Sequence, residues 1–181
     1  MLWILLIIVV LIVLFIISVY NNLVTLKQRA KNSFSQMDVQ LQRRFDLIPN
    51  LVETVKGYMT HESDTLAKVT ELRTAWAGAK TVDEKAKLDN ELSNTLKTIM
   101  AVAEAYPDLK ANQNFESLQN ELTETEDKIS YSRQFYNDTV TKYNTKLELF
   151  PSNIVAGMFH FTAESLFEVD SAEARKNVKV D

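Results

Sequence analysis

The sequence has no cysteine and only three glycines and three prolines among its 181 residues. The missing cysteine excludes disulfide bonds, thiolate zinc sites and catalysis by a cysteine nucleophile. The scarcity of glycine and proline argues against a β-sandwich with many turns and against a nucleotide fold with a glycine-rich loop. These absences favour a helical protein.

The chain also lacks the motifs of the common enzyme classes. It contains no P-loop, no Gly-x-Ser-x-Gly turn, no Gly-x-Gly-x-x-Gly and no kinase catalytic loop. Neither His61 nor His160 follows a glutamate by three positions, as a di-iron helical bundle requires. A run of carboxylates without a neighbouring histidine is interpreted as a solvated face: Glu121, Glu124, Glu126 and Asp127. We therefore predict no enzyme, no catalytic residue, no cofactor and no metal site.

The first twenty residues are apolar except for Ser18. The uncharged run Leu2–Val19 forms about 27 Å of helix, which nearly matches a hydrocarbon core of about 30 Å. Trp3 and Tyr20 stand at its ends, where aromatic rings favour the membrane interface. A cleaved signal peptide fits less well, because no basic residue precedes the run and no small-residue cleavage site follows it. Residues 1–20 are therefore predicted to be a transmembrane anchor.

The charges after the anchor predict its orientation. Lys27, Arg29 and Lys31 lie in a basic juxtamembrane segment, residues 21–32, and no acidic residue occurs before Asp38. By the positive-inside rule, the N-terminus lies outside and the remaining chain lies in the cytoplasm. Residues 1–37 carry a net charge of +3 and residues 38–181 carry −7. The basic collar can contact anionic lipid, whereas the acidic domain is unsuited to nucleic acid.

Apolar residues recur at helical spacing through the rest of the chain. They predict one helix from about Ser33 to Ala77, kinked at Pro49, weakened at residues 60–63 and ended by Gly78. A second helix begins at the capping box of Thr81 and Glu84 and closes at Pro107, and a third runs from about residue 113 to Pro151. Tyr136 and Tyr143, seven positions apart on the third stripe, are interpreted as core residues rather than ligand contacts.

These elements predict an all-α fold with a transmembrane helix and a long antiparallel up-down bundle. The bundle would occupy residues 33–168, with three long helices and a short C-terminal fourth helix or apolar flap at residues 152–167. A polar, disordered tail is predicted for residues 169–181.

Three blocks of this sequence resemble the LemA family of bacterial membrane proteins. The first is DVQLQRRFDLIPNLVETVKGY at residues 38–58, the second is EAYPDLKAN at residues 104–112, and the third extends from Tyr131 to Phe150. The resemblance covers roughly residues 20–168. It implies an N-terminal anchor followed by a four-helical antiparallel bundle, and it implies no catalytic residue. Since some members help to build magnetosome membranes, it also suggests a membrane-associated organising protein at the bacterial inner membrane.

A candidate interaction patch is formed by Arg43, Arg44 and Asp46 beside the apolar stripe of the first helix. One interpretation is a docking surface for a partner protein or lipid. The favoured alternative is an ion pair between helices that fixes their register while the arginine stem covers the core edge.

The leading hypothesis is a non-enzymatic scaffold or interaction module, anchored by residues 2–20 and its basic collar. Its partner would be an unidentified membrane-associated protein or further copies of the chain. The alternative is a ligand-sensing module with a pocket of several hundred Å³ under residues 154–167.

Overall fold

The computed structural model describes residues 1–168, in which every regular element is an α-helix. The helices are α1 (Leu2–Asp46), α2 (Ile48–Val55), α3 (Ser63–Gly78), α4 (Val82–Ala103), α5 (Pro107–Lys110), α6 (Gln113–Glu148) and α7 (Ser152–Met158). The predicted all-α class with an apolar N-terminal helix is confirmed. The tail predicted at residues 169–181 lies outside the described residues.

The chain divides into two compact units, to both of which α1 and α6 contribute. Unit 1 contains residues 1–37 and 131–166, whereas unit 2 contains residues 38–130 together with Phe167 and Glu168. α1 continues without interruption through the predicted basic juxtamembrane segment, residues 21–32.

In unit 1, α1 and the C-terminal part of α6 pack antiparallel. Phe34 contacts Tyr136 with a ring-centroid distance of 5.5 Å, and Leu23 lies in one buried cluster with Tyr143. The remaining members of that cluster are Val19, Val155 and Ala156. The short helix α7 therefore packs against α1 where the apolar run ends.

Unit 2 is an up-down-up-down arrangement of four helical segments: α1 continued by α2, then α3, α4 and α6. The indole of Trp76, near the end of α3, stacks on Phe45 of α1 at 4.3 Å between ring centroids, so α3 runs back along α2. Arg44 binds Asp89 in the first half of α4 and Glu126 in α6. Apolar side chains at helical spacing fill the centre, among them Leu41, Leu51, Val69, Leu92 and Ile99.

The prediction of one kinked helix over residues 33–77 is wrong. The helix is interrupted at Leu47, which keeps right-handed helical angles, and a true reversal follows at residues 56–62. Pro49 cannot donate to the carbonyl of Phe45, and the interruption falls between those two residues. The helical spacing of apolar residues is interrupted at residues 60–63 because the chain completes a turn there and begins a new helix.

Other predicted helix ends are confirmed. Thr81 and Glu84 form the capping box at the start of α4, with reciprocal side-chain and backbone hydrogen bonds. Asn112 caps α6 by accepting bonds from the backbone N–H groups of Asn114 and Phe115. Gly78 is the last residue of α3, and α6 ends at Glu148, just before Pro151.

Candidate functional site

The predicted interaction patch begins with Arg44, which is buried in the centre of unit 2. The residue is only 4% exposed and stands next to the fully buried Phe45 on α1. Its Nη1 donates to Asp89 Oδ1 at 2.7 Å and to Ser93 Oγ at 3.0 Å. Its Nη2 lies 2.7 Å from Glu126 Oε2. One guanidinium thus joins α1, α4 and α6 in the way that the structural alternative predicts for a register-fixing arginine.

The structure separates Arg44 from the rest of the patch. Arg43 is exposed, and Asp46 is exposed and accepts a hydrogen bond from Gln42 Nε2 at 2.9 Å. A docking role for this patch stays a prediction, and the side chains that remain accessible to a partner are Arg43 and Asp46.

The partners of Arg44 were missed at the level of sequence, although a signal was present. Asp89, which is 1% exposed, falls between Ala86 and Leu92 at core positions of α4. A carboxylate on an apolar stripe requires a cation in the core. Leu88, the apolar residue beside it, is only half-buried.

A second polar layer lies beside the Phe45–Trp76 ring stack. Trp76 Nε1 donates to Gln42 Oε1 at 2.9 Å, and Lys85 Nζ lies 5.0 Å from the centre of the Trp76 ring. Lys85 also forms an ion pair with Asp38. These contacts tie α1, α3 and α4 together and give the indole N–H and the Lys85 ammonium group their partners.

The predicted membrane-interface residues lie on the surface of α1. Trp3 is 78% exposed and Tyr20 is 37% exposed. Lys27, Arg29 and Lys31 are exposed as well, and Lys27 pairs with Glu164 at 3.4 Å. Residues 2–15 are exposed along their whole length, and α1 is the one helix among residues 1–168 that is long and apolar enough to cross a membrane.

The aromatic hydroxyls of α6 hold the segment that follows α7. Tyr136 donates to the carbonyl of Ser165 at 2.7 Å, and Tyr143 donates to the carbonyl of Thr162 at 3.0 Å. The side-chain amide of Asn144 donates to the backbone carbonyl of Glu164 and accepts from the backbone N–H of Glu164. Burial, together with the nearby charge of Glu164, raises the pKa of Tyr143 above its ordinary value. Both tyrosines are core residues, as interpreted from their spacing.

An open groove of about 330 Å³ lies elsewhere, between α2 and α6 in unit 2. Its lining is mostly polar: Asn50, Glu53, Thr54, Asn114, Ser117, Leu118 and Glu121. None of these residues belongs to the 154–167 segment, under which the sensor hypothesis places its pocket. The inward side chains of α7, Val155 and Ala156, are instead buried in the core of unit 1.

Comparison with known proteins places this architecture in a family. The sequence model of the LemA family matches residues 33–181. Protein LemA of Metamycoplasma hominis is 25% identical over 155 residues, covering 84% of this chain and 70% of that protein. Magnetosome protein MamQ 2 of Paramagnetospirillum magneticum is 26% identical over 175 residues. Magnetosome protein MamQ of Magnetospirillum gryphiswaldense is 22% identical over 174 residues.

In both of these MamQ comparisons the alignment covers 82% of this chain and 64% of the relative, so this chain spans just under two thirds of their length. The match to the family model covers most of the chain, including the buried Arg44 and its partners on α4 and α6. The protein therefore belongs to the LemA family.

Proposed function

We propose that this protein is a single-pass, membrane-anchored helical scaffold that does not catalyse a reaction. The observation that carries the proposal is the contrast within α1. Residues 2–15 are exposed and apolar, whereas the same helix continues into packed cores through Leu23, Met37 and Leu41. A soluble helix cannot leave so many large apolar side chains in water, so a bilayer is the fitting environment.

The proposed address is the bacterial inner membrane, with the N-terminus outside and the bundle in the cytoplasm. Lys27, Arg29 and Lys31 support this orientation, because basic residues within about 15–20 positions of a span favour the cytoplasmic side. Their side chains are exposed and can lie near anionic headgroups.

The proposed activity is to bind a membrane-associated protein or further copies of the chain. The magnetosome naming of the MamQ relatives, together with the implication of the family resemblance, supports an organising role. Within the predicted patch, Arg43 is the arginine available for docking, since its neighbour Arg44 is already engaged by Asp89 and Glu126.

Single-cysteine labelling tests the topology without background, because the natural chain has no cysteine. Thr60→Cys lies in the exposed turn between α2 and α3. In intact bacterial spheroplasts an impermeant maleimide should leave this residue unlabelled until the membrane is permeabilised. Labelling of Thr60→Cys in intact spheroplasts would refute the orientation.

Site-specific photocrosslinking in native membranes tests the scaffold role. A photoreactive residue at exposed position 43 should give a crosslink to one protein of the membrane or to a second copy. The same residue at Leu41, which is fully buried, is the matched control and should give crosslinks only within the chain. If exposed positions along α1 and α6 capture no more than Leu41 does, the scaffold role is wrong.

A further inference from the structure

The residues around α7 expose an unusual set of large apolar side chains. Their exposed fractions lie between 47% and 79%: Leu149, Phe150, Ile154, Met158 and Phe159. We name this surface the apolar tip. No Asp, Glu, Lys or Arg occurs between Leu149 and Ala163. An uncharged segment that exposes so many large apolar side chains marks a contact with a partner or a membrane.

The apolar tip lies beside the end of the predicted membrane span, within unit 1. Val155 and Ala156 on the inner face of α7 pack against Val19 and Leu23 of α1. The ring of Phe159 lies 4.7 Å from that of Tyr20, measured between centroids. The tip is therefore level with the last turn of the apolar run, where a helix leaves the hydrocarbon core.

The two faces of α7 have opposite surroundings. Ser152, Val155 and Ala156 are buried, whereas Ile154 and Met158 lie four residues apart on the outer face. Leu149 and Phe150, in the short connection between α6 and α7, are exposed as well. An apolar face of this kind, held level with a bilayer interface, matches the way in which monotopic helices bury one side in lipid.

The charges that flank the tip fit an anionic bilayer surface. Unit 1 has six Lys and Arg residues against three Asp and Glu residues, so its net charge is +3. Lys142 and Lys146 lie in the last two turns of α6, and Lys27 lies two turns beyond Tyr20 on α1. Glu148 is exposed just before Leu149, at a point where a charged side chain requires water or headgroups around it.

We propose that the apolar tip inserts into the leaflet from which α1 emerges and forms a second contact with phospholipid. The inference rests on the membrane anchoring proposed above and adds a shallow insertion to it. One span alone leaves unit 1 free to rotate about the axis of α1. A second contact would fix which faces of unit 1 point towards the membrane and which remain available to a partner.

Depth-dependent quenching in nanodiscs tests this directly, using the full chain in phosphatidylcholine with phosphatidylglycerol. Ile154→Cys and Met158→Cys carry an environment-sensitive fluorophore, and the lipid carries a nitroxide near the top or near the end of its acyl chain. Leu11→Cys, in the middle of the apolar run, reports the anchor. Tyr131 is 75% exposed in the same unit and lies three turns from Tyr143 along α6. Tyr131→Cys is therefore the matched control for a probe in water.

The expected result is a blue-shifted emission at positions 154 and 158, with loss of fluorescence caused mainly by the shallow nitroxide. Position 11 should be quenched mainly by the deep nitroxide, and position 131 by neither. The double variant Ile154→Asp with Met158→Asp should remove shallow quenching from a probe at Leu149→Cys. Its control, Tyr131→Asp with Phe135→Asp, changes two exposed apolar residues of α6 and should leave that quenching intact.

The alternative outcomes are distinct. Quenching at position 11 with water-exposed, unquenched probes at 154 and 158 overturns the insertion and leaves the anchor standing. Blue-shifted probes that neither nitroxide quenches indicate a protein occupant and also overturn it. An unquenched probe at position 11 refutes the anchor, and the insertion falls with it. Helical circular dichroism of each variant verifies that the fold is retained.

Discussion

At the scale of single residues, Arg44 is a charged side chain buried in the core of unit 2. It holds a charge at 4% exposure and neutralises Asp89 at 1% exposure. Burying two ions is costly, and the attraction between them compensates only when the geometry is good. The hydrogen bonds to Asp89 at 2.7 Å and to Ser93 at 3.0 Å supply that geometry, and Glu126 adds a second carboxylate 2.7 Å from Nη2. The arginine therefore specifies how α1, α4 and α6 align.

Replacing Arg44 by methionine should lower the free energy of unfolding by about 3–5 kcal/mol, since Asp89 then keeps a buried charge without its guanidinium. Arg43→Met, its exposed neighbour, is the control and should change stability by less than about 0.5 kcal/mol. Denaturant titration of the full chain in detergent gives both values. Trp76 fluorescence in a Trp3→Phe background reports unit 2 alone. Equal losses for the two variants would show that the buried ion pair does not set stability.

Glu84 offers a pH-dependent prediction at the start of α4. Hydrogen bonds from the backbone N–H groups of Lys80 and Thr81 hold the pKa of Glu84 below its ordinary value of 4.5. A lowered carboxyl pKa stabilises the fold above the unfolded value, and that contribution disappears as pH falls through the folded pKa. Glu84→Ala should therefore be less stable than the natural chain at neutral pH, and the difference should shrink below pH 4.5.

Thermal unfolding at a series of pH values measures this difference. Glu84→Gln is the matched control, because glutamine can serve in a capping box without titrating in this range. Its stability relative to Glu84→Ala should stay nearly constant as the pH falls. A gap between the natural chain and Glu84→Ala that does not change with pH would contradict the capping role.

At the scale of elements, the end of α7 is fixed by one residue in an unusual conformation. His160 has a φ of 55°, in the left-handed region. The backbone N–H of Phe161 donates to the carbonyl of Ala156, and that of His160 donates to Gly157, as in a Schellman motif. Glycine usually occupies this position, because a side chain costs about 1–2 kcal/mol there.

His160→Gly should raise the free energy of unfolding by up to about 1 kcal/mol, whereas His160→Val should lower it by a similar amount. Asn153→Gly is the matched control, since Asn153 is exposed in the first turn of α7 and glycine there should lower the stability by its greater chain entropy when unfolded. Thermal unfolding of the detergent-solubilised chain ranks the variants. A stabilising valine would contradict this account of the α7 terminus.

Local signals predicted some helix ends well and failed at others for a physical reason. Thr81, Asn112 and Gly78 mark helix ends through hydrogen bonds or turns close in sequence, so the sequence alone locates them. The reversal at residues 56–62 depends on α3 packing back along α2. The stacking of Trp76 on Phe45 stabilises that packing, and it joins residues far apart in the sequence. An apolar stripe has the same spacing in one long helix and in two antiparallel ones.

At the scale of the whole molecule, the basic collar should determine the side of the membrane. Changing Lys27, Arg29 and Lys31 to glutamate should lower the fraction of chains in which Thr60→Cys is inaccessible to the impermeant maleimide. The control changes Lys142 and Lys146 to glutamate, because these lie in the same unit but over 120 residues after the span. Maleimide labelling in spheroplasts measures the orientation of both variants. Equal effects would show that the position of the basic residues next to the span does not determine the orientation.

The sequence by itself determined the helical class, the apolar run of α1, the capping residues and the family. These depend on composition, local hydrogen bonds and periodicity, all of which are written in short stretches of chain. Only the tertiary structure decided that Arg44 is buried against Asp89 and Glu126 and that α7 stands beside the end of the apolar run. Both arrangements join residues more than 40 positions apart, so they depend on which helix faces meet and not on any local preference.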